Sequence, residues 1–210
     1  MNILSHFRGL HAKWAGRGSP GCRAGRGLAR SIRLLCCLLC GLAGLGGGAT
    51  AELAIAKEYQ LKAAFLYNFT KFVDWPTSSF AGSNAPFVLG VVGRSPCTAE
   101  LEQIVKDRKV NGRQIVVRIV ATTEAAKSVH ALFLPAGEDP RLEEWLGAVR
   151  GLGVLTVGES ELFVKHGGVI HFLLEGEKIR FDINMDQADA GGLKVSAQLQ
   201  KLAKSVRRKP

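Results

Sequence analysis

One stretch constrains this chain more than any other: Glu58 to Pro76, EYQLKAAFLYNFTKFVDWP, sets Leu61, Phe65, Phe69 and Phe72 at the three-to-four spacing of a single helix face. A helix so aromatic must be covered. Pro76 disfavours helical geometry at Trp75 before it, so the spacing predicts a helix that closes around Asp74 and delivers an indole at its exit. The cover is expected from the C-terminal half, where a strand pair precedes a second amphipathic stretch. The two helices would then bracket one sheet.

The sheet is legible in between. Phe87 to Gly93, FVLGVVG, is a continuous apolar run of the kind that forms a strand buried on both faces. A helical pattern follows, TAELEQIVKD, with Thr98 as a candidate N-cap. Asn111-Gly112 signals a turn, and strands are expected at Gln114 to Ala121, Val129 to Leu134 and Val154 to Val157. Between the last two, RLEEWLGAVRG reads as a helix with Pro140 at its start and Gly151 at its end; after the last, SELFVKH reads as a short helix stopped by Gly167-Gly168. Strands alternating with helices at this interval call for parallel crossovers. Val169 to Leu174 and Lys178 to Asn184 form a hairpin around Glu175-Gly176-Glu177, with Arg180, Asp182 and Asn184 alternating against Ile179, Phe181 and Ile183. A final helix is expected from Ala188 or Gly192 to Val206. The fold class is therefore α/β: a mostly parallel sheet flanked by helices on both faces, with an antiparallel C-terminal edge hairpin.

The formal net charge of +10 suggests nucleic acid until its distribution is read. Arg8, Lys13, Arg17, Arg23, Arg26, Arg30 and Arg33 lie in the first 51 residues, which hold none of the 18 acidic ones. The remainder is nearly balanced, and no nucleic-acid partner is expected. The basic region is followed by the apolar LLCCLLCGLAGLG and by Ala49-Thr50-Ala51, the order of a signal peptide cleaved after Ala51. An uncleaved anchor would need about 18 to 20 apolar residues, more than this run supplies. The domain boundaries are 1–51 for the signal peptide, 52–206 for a single α/β domain and 207–210 for a basic tail. The chain is therefore expected to be exported. Of the five cysteines only Cys97 falls in the mature chain, as a small buried hydrophobe or, alternatively, an intersubunit bridge.

Little here resembles catalytic machinery. His130, His166 and His171 lack the spacing of metal ligands, and Asp182, Asp186 and Asp189 do not match a calcium loop. No catalytic, cofactor or metal residue is assigned, and the chain is not expected to be an enzyme. Gly93-Arg94-Ser95-Pro96 lies beyond the end of a parallel strand, where α/β sheets hold ligands, but it carries no nucleotide fingerprint. A tight strand-to-helix turn and a small-ligand site are both open. The candidate ligand or partner surface is Gly93, Arg94 and Ser95 at that turn, Arg180 and Asn184 on the polar face of the last strand, and the aromatics Phe69 and Trp75, which belong to the core, a dimer seam or a partner face.

The residues KAAFLYNFTKFVDWP, the strand leading into GRSP, and GGVIHFLLEGEKIRFDINMDQADAGGLKVSAQLQKLAKSV together resemble the YfiR family of exported bacterial proteins. The resemblance covers Glu58 to Val206. It implies a periplasmic regulator without catalytic role, which forms homodimers, represses a membrane diguanylate cyclase by binding its periplasmic region, and is sequestered by an outer-membrane lipoprotein. The implied consequence is lower cyclic di-GMP and control of biofilm formation. The family's best-known member carries internal disulfides; a single cysteine in the mature chain excludes that feature here. An exported small-ligand-binding domain without a cyclase partner is the alternative reading.

Overall fold

A computed structural model of the protein describes residues 47–176 and 178–208. The expected signal peptide lies largely outside these residues, as do Glu177 in the expected hairpin turn and the last residues of the basic tail. Among the described residues no helix is long and apolar enough to cross a membrane.

Helix α1 runs Gly47–Phe72. It starts upstream of the expected cleavage point and ends before Asp74, because Val73–Asp74 leaves the helix as a short strand, β1, paired antiparallel with β9 (Lys194–Val195). Trp75 then exits as the Trp-Pro signal predicts, its indole N–H donating to the His130 carbonyl at 2.9 Å and its ring edge-on to Phe87 at 4.7 Å. The tight turn at Ser79 and Phe80 leads into β2 (Phe87–Val92), every residue of which is buried.

Next come α2 (Cys97–Val105), β3 (Lys109–Val110), β4 (Arg113–Val120), α3 (Thr123–Ala126), β5 (Ala131–Leu134), α4 (Leu142–Val149), β6 (Leu155–Gly158), α5 (Glu161–Lys165), β7 (Ile170–Glu175) and β8 (Lys178–Asn184). The β3–β4 turn places Asn111 and Gly112 at positive φ of 49° and 79°, the geometry for which Asn-Gly is suited. The Thr98 cap is not used: Pro96 precedes the helix, and Ser95 Oγ instead accepts the Cys97 N–H at 3.2 Å.

With a last strand, β10 (Ser205–Arg207), the eight strands of the main sheet lie in the order β10-β8-β7-β6-β5-β2-β4-β3. Strands β4, β2, β5, β6 and β7 are parallel neighbours, and β7–β8 is the antiparallel pair. Alternation along β2 splits the core in two. Phe87, Leu89 and Val91 point to a face covered by α1 and α2, with Phe69, Leu66, Leu101, Phe172 and Phe181 around them. Val88 and Val92 point to the opposite face under α3, α4 and α5, with Trp145, Leu142 and Phe163. Helices thus cover both faces, as the unbroken apolar run of β2 requires.

The end of the chain departs from expectation. No single helix reaches Val206; the segment is α6 (Met185–Ala190), β9, α7 (Ala197–Leu202) and a last strand β10 (Ser205–Arg207). Gly192, at φ 70°, breaks the first helical run, and Lys204 N–H donating to Phe181 O at 2.8 Å starts a parallel pairing of β10 with Asp182–Asn184. The free edge of β8 recruits residues whose spacing alone continues a helix, and β10 becomes the sheet edge outside the hairpin. Leu193, Val195 and Leu199 of the expected stripe are buried, whereas Leu202 and Val206 are exposed.

Candidate functional site

The carboxyl ends of β2 and β5 mark a switch point, since the chain leaves β2 toward β4 and returns to β5 on the other side. Gly93 closes β2 at φ 64°, with Arg94 exposed beyond it. This crevice is already filled. A Cβ at Gly93 would sit 2.8 Å from Glu138 Oε1, while Glu138 Oε2 accepts the Trp145 indole N–H at 3.1 Å. Beside it, at the end of β6, Glu159 Oε2 accepts the Ala136 N–H at 3.2 Å and Oε1 accepts from Lys62 Nζ at 2.8 Å. Lys62 also donates to Glu58 one turn back along α1. Carboxylates from the chain itself stand where an anion bound at the Gly93-Arg94-Ser95 turn would sit, and Ser95 Oγ is engaged with the helix.

The electrostatics of this cluster follow from its burial. Desolvation pulls the Lys62 ammonium down, but its hydrogen bonds to Glu159 and Glu58 outweigh this and hold its pKa above the ordinary value. Burial, reinforced by the Glu159 charge, pushes the Cys97 thiol up to about 12, so this cysteine is a packed apolar group rather than a nucleophile.

A second feature is a groove of about 330 Å³ beside α5, on the face of the sheet that α3, α4 and α5 cover. Its floor is His171 and Leu173 of β7 and Asp182 of β8; Glu161, Val164 and Lys165 of α5 form one wall and Arg207 of β10 the other. His171 and Asp182 face each other directly across the antiparallel pair. Asp182 lines this groove, and its Oδ1 is buried with no hydrogen-bond partner among the described residues. Burial lowers the His171 pKa, and the Asp182 charge opposes that shift. Arg180 lies exposed farther along β8, as the alternation predicts, but Asn184 is committed to structure: its Oδ1 accepts the Gln187 N–H at 3.3 Å and caps α6.

The third feature is apolar. Leu53 and Leu61 of α1 and Leu174 of β7 are 70%, 40% and 59% exposed. With Ala54, Lys57, Glu58, Gly176 and Ile179 they line a groove of about 390 Å³ between the N-terminal half of α1 and the hairpin tip. Of the aromatics singled out from the sequence, Phe69 is 1% exposed, stacked on Phe172, edge-on to Phe181 and tilted against Phe65, and Trp75 is half-buried against Phe87. Phe69 presents nothing to a partner.

Sequence reasoning missed Lys62, Glu159, Glu138 and the Leu53–Leu61–Leu174 ridge. The ridge had a signal, the four-residue spacing of Leu53, Lys57 and Leu61 upstream of the aromatic stripe. The carboxylate cluster had none, because its members come together only in the fold. Among the described residues no three His, Cys, Asp or Glu side chains converge as metal ligands would.

A closed strand-end crevice, a mixed-charge groove and an exposed apolar ridge are thus the main surface features of a helix-flanked α/β domain. Residues 59–204 match the YfiR/HmsC-like family, and the chain belongs to it. No curated protein matches the chain. Among solved structures it is similar to a conserved domain protein from Vibrio cholerae, at 13% identity and a TM-score of 0.44, covering 57% of this chain and 54% of that one. It is also similar to an ABC domain in complex with L-Trp from Streptococcus pneumonia, at 13% identity and a TM-score of 0.39, covering 58% and 55%. The chain therefore spans little more than half the length of either structure.

Proposed function

We propose that this protein is a non-catalytic, exported regulator that binds the periplasmic region of an inner-membrane diguanylate cyclase and holds it inactive, lowering cyclic di-GMP. The family match over residues 59–204 carries this reading. Repression is a population shift: the bound regulator prefers the inactive arrangement of the cyclase, and removing the regulator restores activity. An outer-membrane lipoprotein that sequesters the regulator is the matching release device. Supporting a protein partner is the ridge of Leu53, Leu61 and Leu174, since contiguous exposed apolar surface on a soluble domain marks contact sites.

Photo-cross-linking from position 61 in the living envelope tests the reading. An adduct with an inner-membrane cyclase is expected; the absence of any cyclase adduct from position 61, with the ridge exposed and the protein exported, would count against it.

One observation favours a second reading, an exported domain that takes a small polar ligand. The groove lined by Asp182, His171, Lys165 and Arg207 offers charged and polar side chains to such a ligand. Thermal stabilisation by a small molecule, abolished by Asp182→Ala, is its signature.

A further inference from the structure

Two cations converge on one buried tyrosine where α1 ends and α2 turns into β3. Tyr67 is 7% exposed and belongs to the core under α1 and α2. Lys71, one turn farther along α1, sets its Nζ 4.2 Å from the centre of the Tyr67 ring. Arg108, from the other segment, sets its guanidinium carbon 5.0 Å from the same centre. The turn that delivers Arg108 is hydrogen-bonded: Asp107 takes φ 57°, and the Arg108 N–H donates to the Val105 carbonyl at 3.0 Å. Lys106 and Lys109 stand beside it in the chain, and all four cations are exposed.

No carboxylate answers this charge. Among the described residues Lys71, Lys106, Arg108 and Lys109 form no ion pair, although Asp74, Glu102 and Asp107 are exposed close to them in sequence. Lys62, on the same helix as Lys71, holds two. Attraction to the carbonyl end of α1 explains a lysine in its last turn. It does not bring an arginine from another segment to the same ring.

The hydroxyl carries the argument further. Burial raises the Tyr67 pKa, but hydrogen bonds from Arg108 and Lys71 outweigh this and hold it below the ordinary value. Arginine and lysine only donate, so neither can take the proton of the tyrosine itself. Phenol, ammonium and guanidinium thus form a group of donors with two positive charges and no acceptor. An oxyanion arriving from solvent, where Lys71 and Arg108 are exposed, satisfies all three.

We propose that Tyr67, Lys71 and Arg108 bind a phosphate dianion, either inorganic phosphate or the terminal group of a phosphate monoester. Charge selects the dianion, the main form of a monoester at neutral pH, because a carboxylate would leave one of the two cations unanswered. The donor count agrees: three groups suit the three free oxygens of a monoester, whereas a carboxylate presents two. The site is separate from the groove of His171 and Asp182 and from the Leu53–Leu61–Leu174 ridge, and it does not rest on the regulatory reading.

The chain has two tyrosines, so carbon-13 labelling of their rings reports on Tyr67 with Tyr59 as internal control. The test uses the full gene product, expressed with its own leader and purified from the envelope. Inorganic phosphate, added at constant ionic strength, should shift the Tyr67 signals saturably with half-saturation below about 10 mM and leave those of Tyr59 in place. Lys71→Ala with Arg108→Ala, both at exposed positions, should leave the circular dichroism spectrum unchanged and weaken binding by at least about tenfold. Lys57→Ala with Lys178→Ala, which removes the same charge from other exposed positions, should leave binding intact. Absence of a saturable Tyr67 shift below about 10 mM overturns the proposal. So does a shift that the Lys71 and Arg108 variant retains, or one that both double variants lose alike. Binding to phosphatidylglycerol vesicles without a response to phosphate overturns it as well, since that marks a basic face for a membrane rather than a phosphate site.

Discussion

Lys62 Nζ lies 2.8 Å from Glu159 Oε1, joining residues 97 positions apart and pinning α1 to the carboxyl end of β6. Both side chains are about nine-tenths buried, at 8% relative exposure each. Removing one partner of a buried pair strands the other charge, which costs about 3–5 kcal/mol. Lys62→Met is therefore expected to destabilise the protein by that order in urea unfolding, and Lys62→Met with Glu159→Leu to cost less than Lys62→Met alone. A loss below about 1 kcal/mol for the single change would show that Glu159 is solvated in solution.

His130 makes stability depend on pH. Its Nδ1 accepts the Val88 N–H at 2.9 Å, which places the ring proton on Nε2, 3.1 Å from the Ser79 carbonyl. The ring is stacked between Phe80 and Phe87. Burial lowers its pKa from 6.5, with the charges of Arg113 and Arg118 acting in the same direction. His171 is lowered as well, mainly by burial and further by Arg207, against the opposing charges of Asp182 and Glu161. A group whose folded pKa is depressed is protonated first in the unfolded chain, so stability is complete above about pH 6.5 and is lost as pH falls below it. The unfolding midpoint should drop between neutral pH and about pH 5, and His130→Gln with His171→Gln should flatten that slope. An unchanged slope in the double variant would assign it to carboxylates.

Phe163 occupies a slot between two glycines. A Cβ at Gly158 would lie 2.3 Å from its ring and one at Gly168 2.0 Å, and neither glycine has the positive φ that would itself exclude alanine. Gly168→Ala should cost on the order of 1–3 kcal/mol or more through overpacking, and Phe163→Leu should return part of the loss in a double-mutant cycle. Strict additivity would contradict the contact.

The thiol of Cys97, with its pKa pushed up to about 12, should resist Ellman's reagent at pH 8 in the folded mature protein and react at once in denaturant. Rapid labelling of the native state would place the residue at the surface. A slow native reaction would instead report opening of α2.

The helix stripe, the parallel strands and the hairpin were legible because period and turn chemistry are local: Phe65 and Phe69, the all-apolar β2, and Asn111-Gly112 each announce themselves. The last strand was not. Leu199, Leu202 and Val206 continue a helical spacing, and only the unpaired edge of β8, formed elsewhere in the chain, makes Ser205–Arg207 a strand. The site was harder still. Gly93 could be placed at a strand end, but nothing near it in sequence points to Glu138, which fills the space a ligand would use. The alternation of β8 shows its polar face; that Asn184 is spent on a cap and Asp182 Oδ1 is buried without a partner depends on how the surrounding elements pack.

Intracellular cyclic di-GMP tests the central claim most directly, measured with the gene present, deleted, and restored as a copy with or without residues 1–51. The account predicts a rise on deletion that the exported copy reverses and the leaderless copy does not. No change in any strain, or rescue by the leaderless copy, would contradict it.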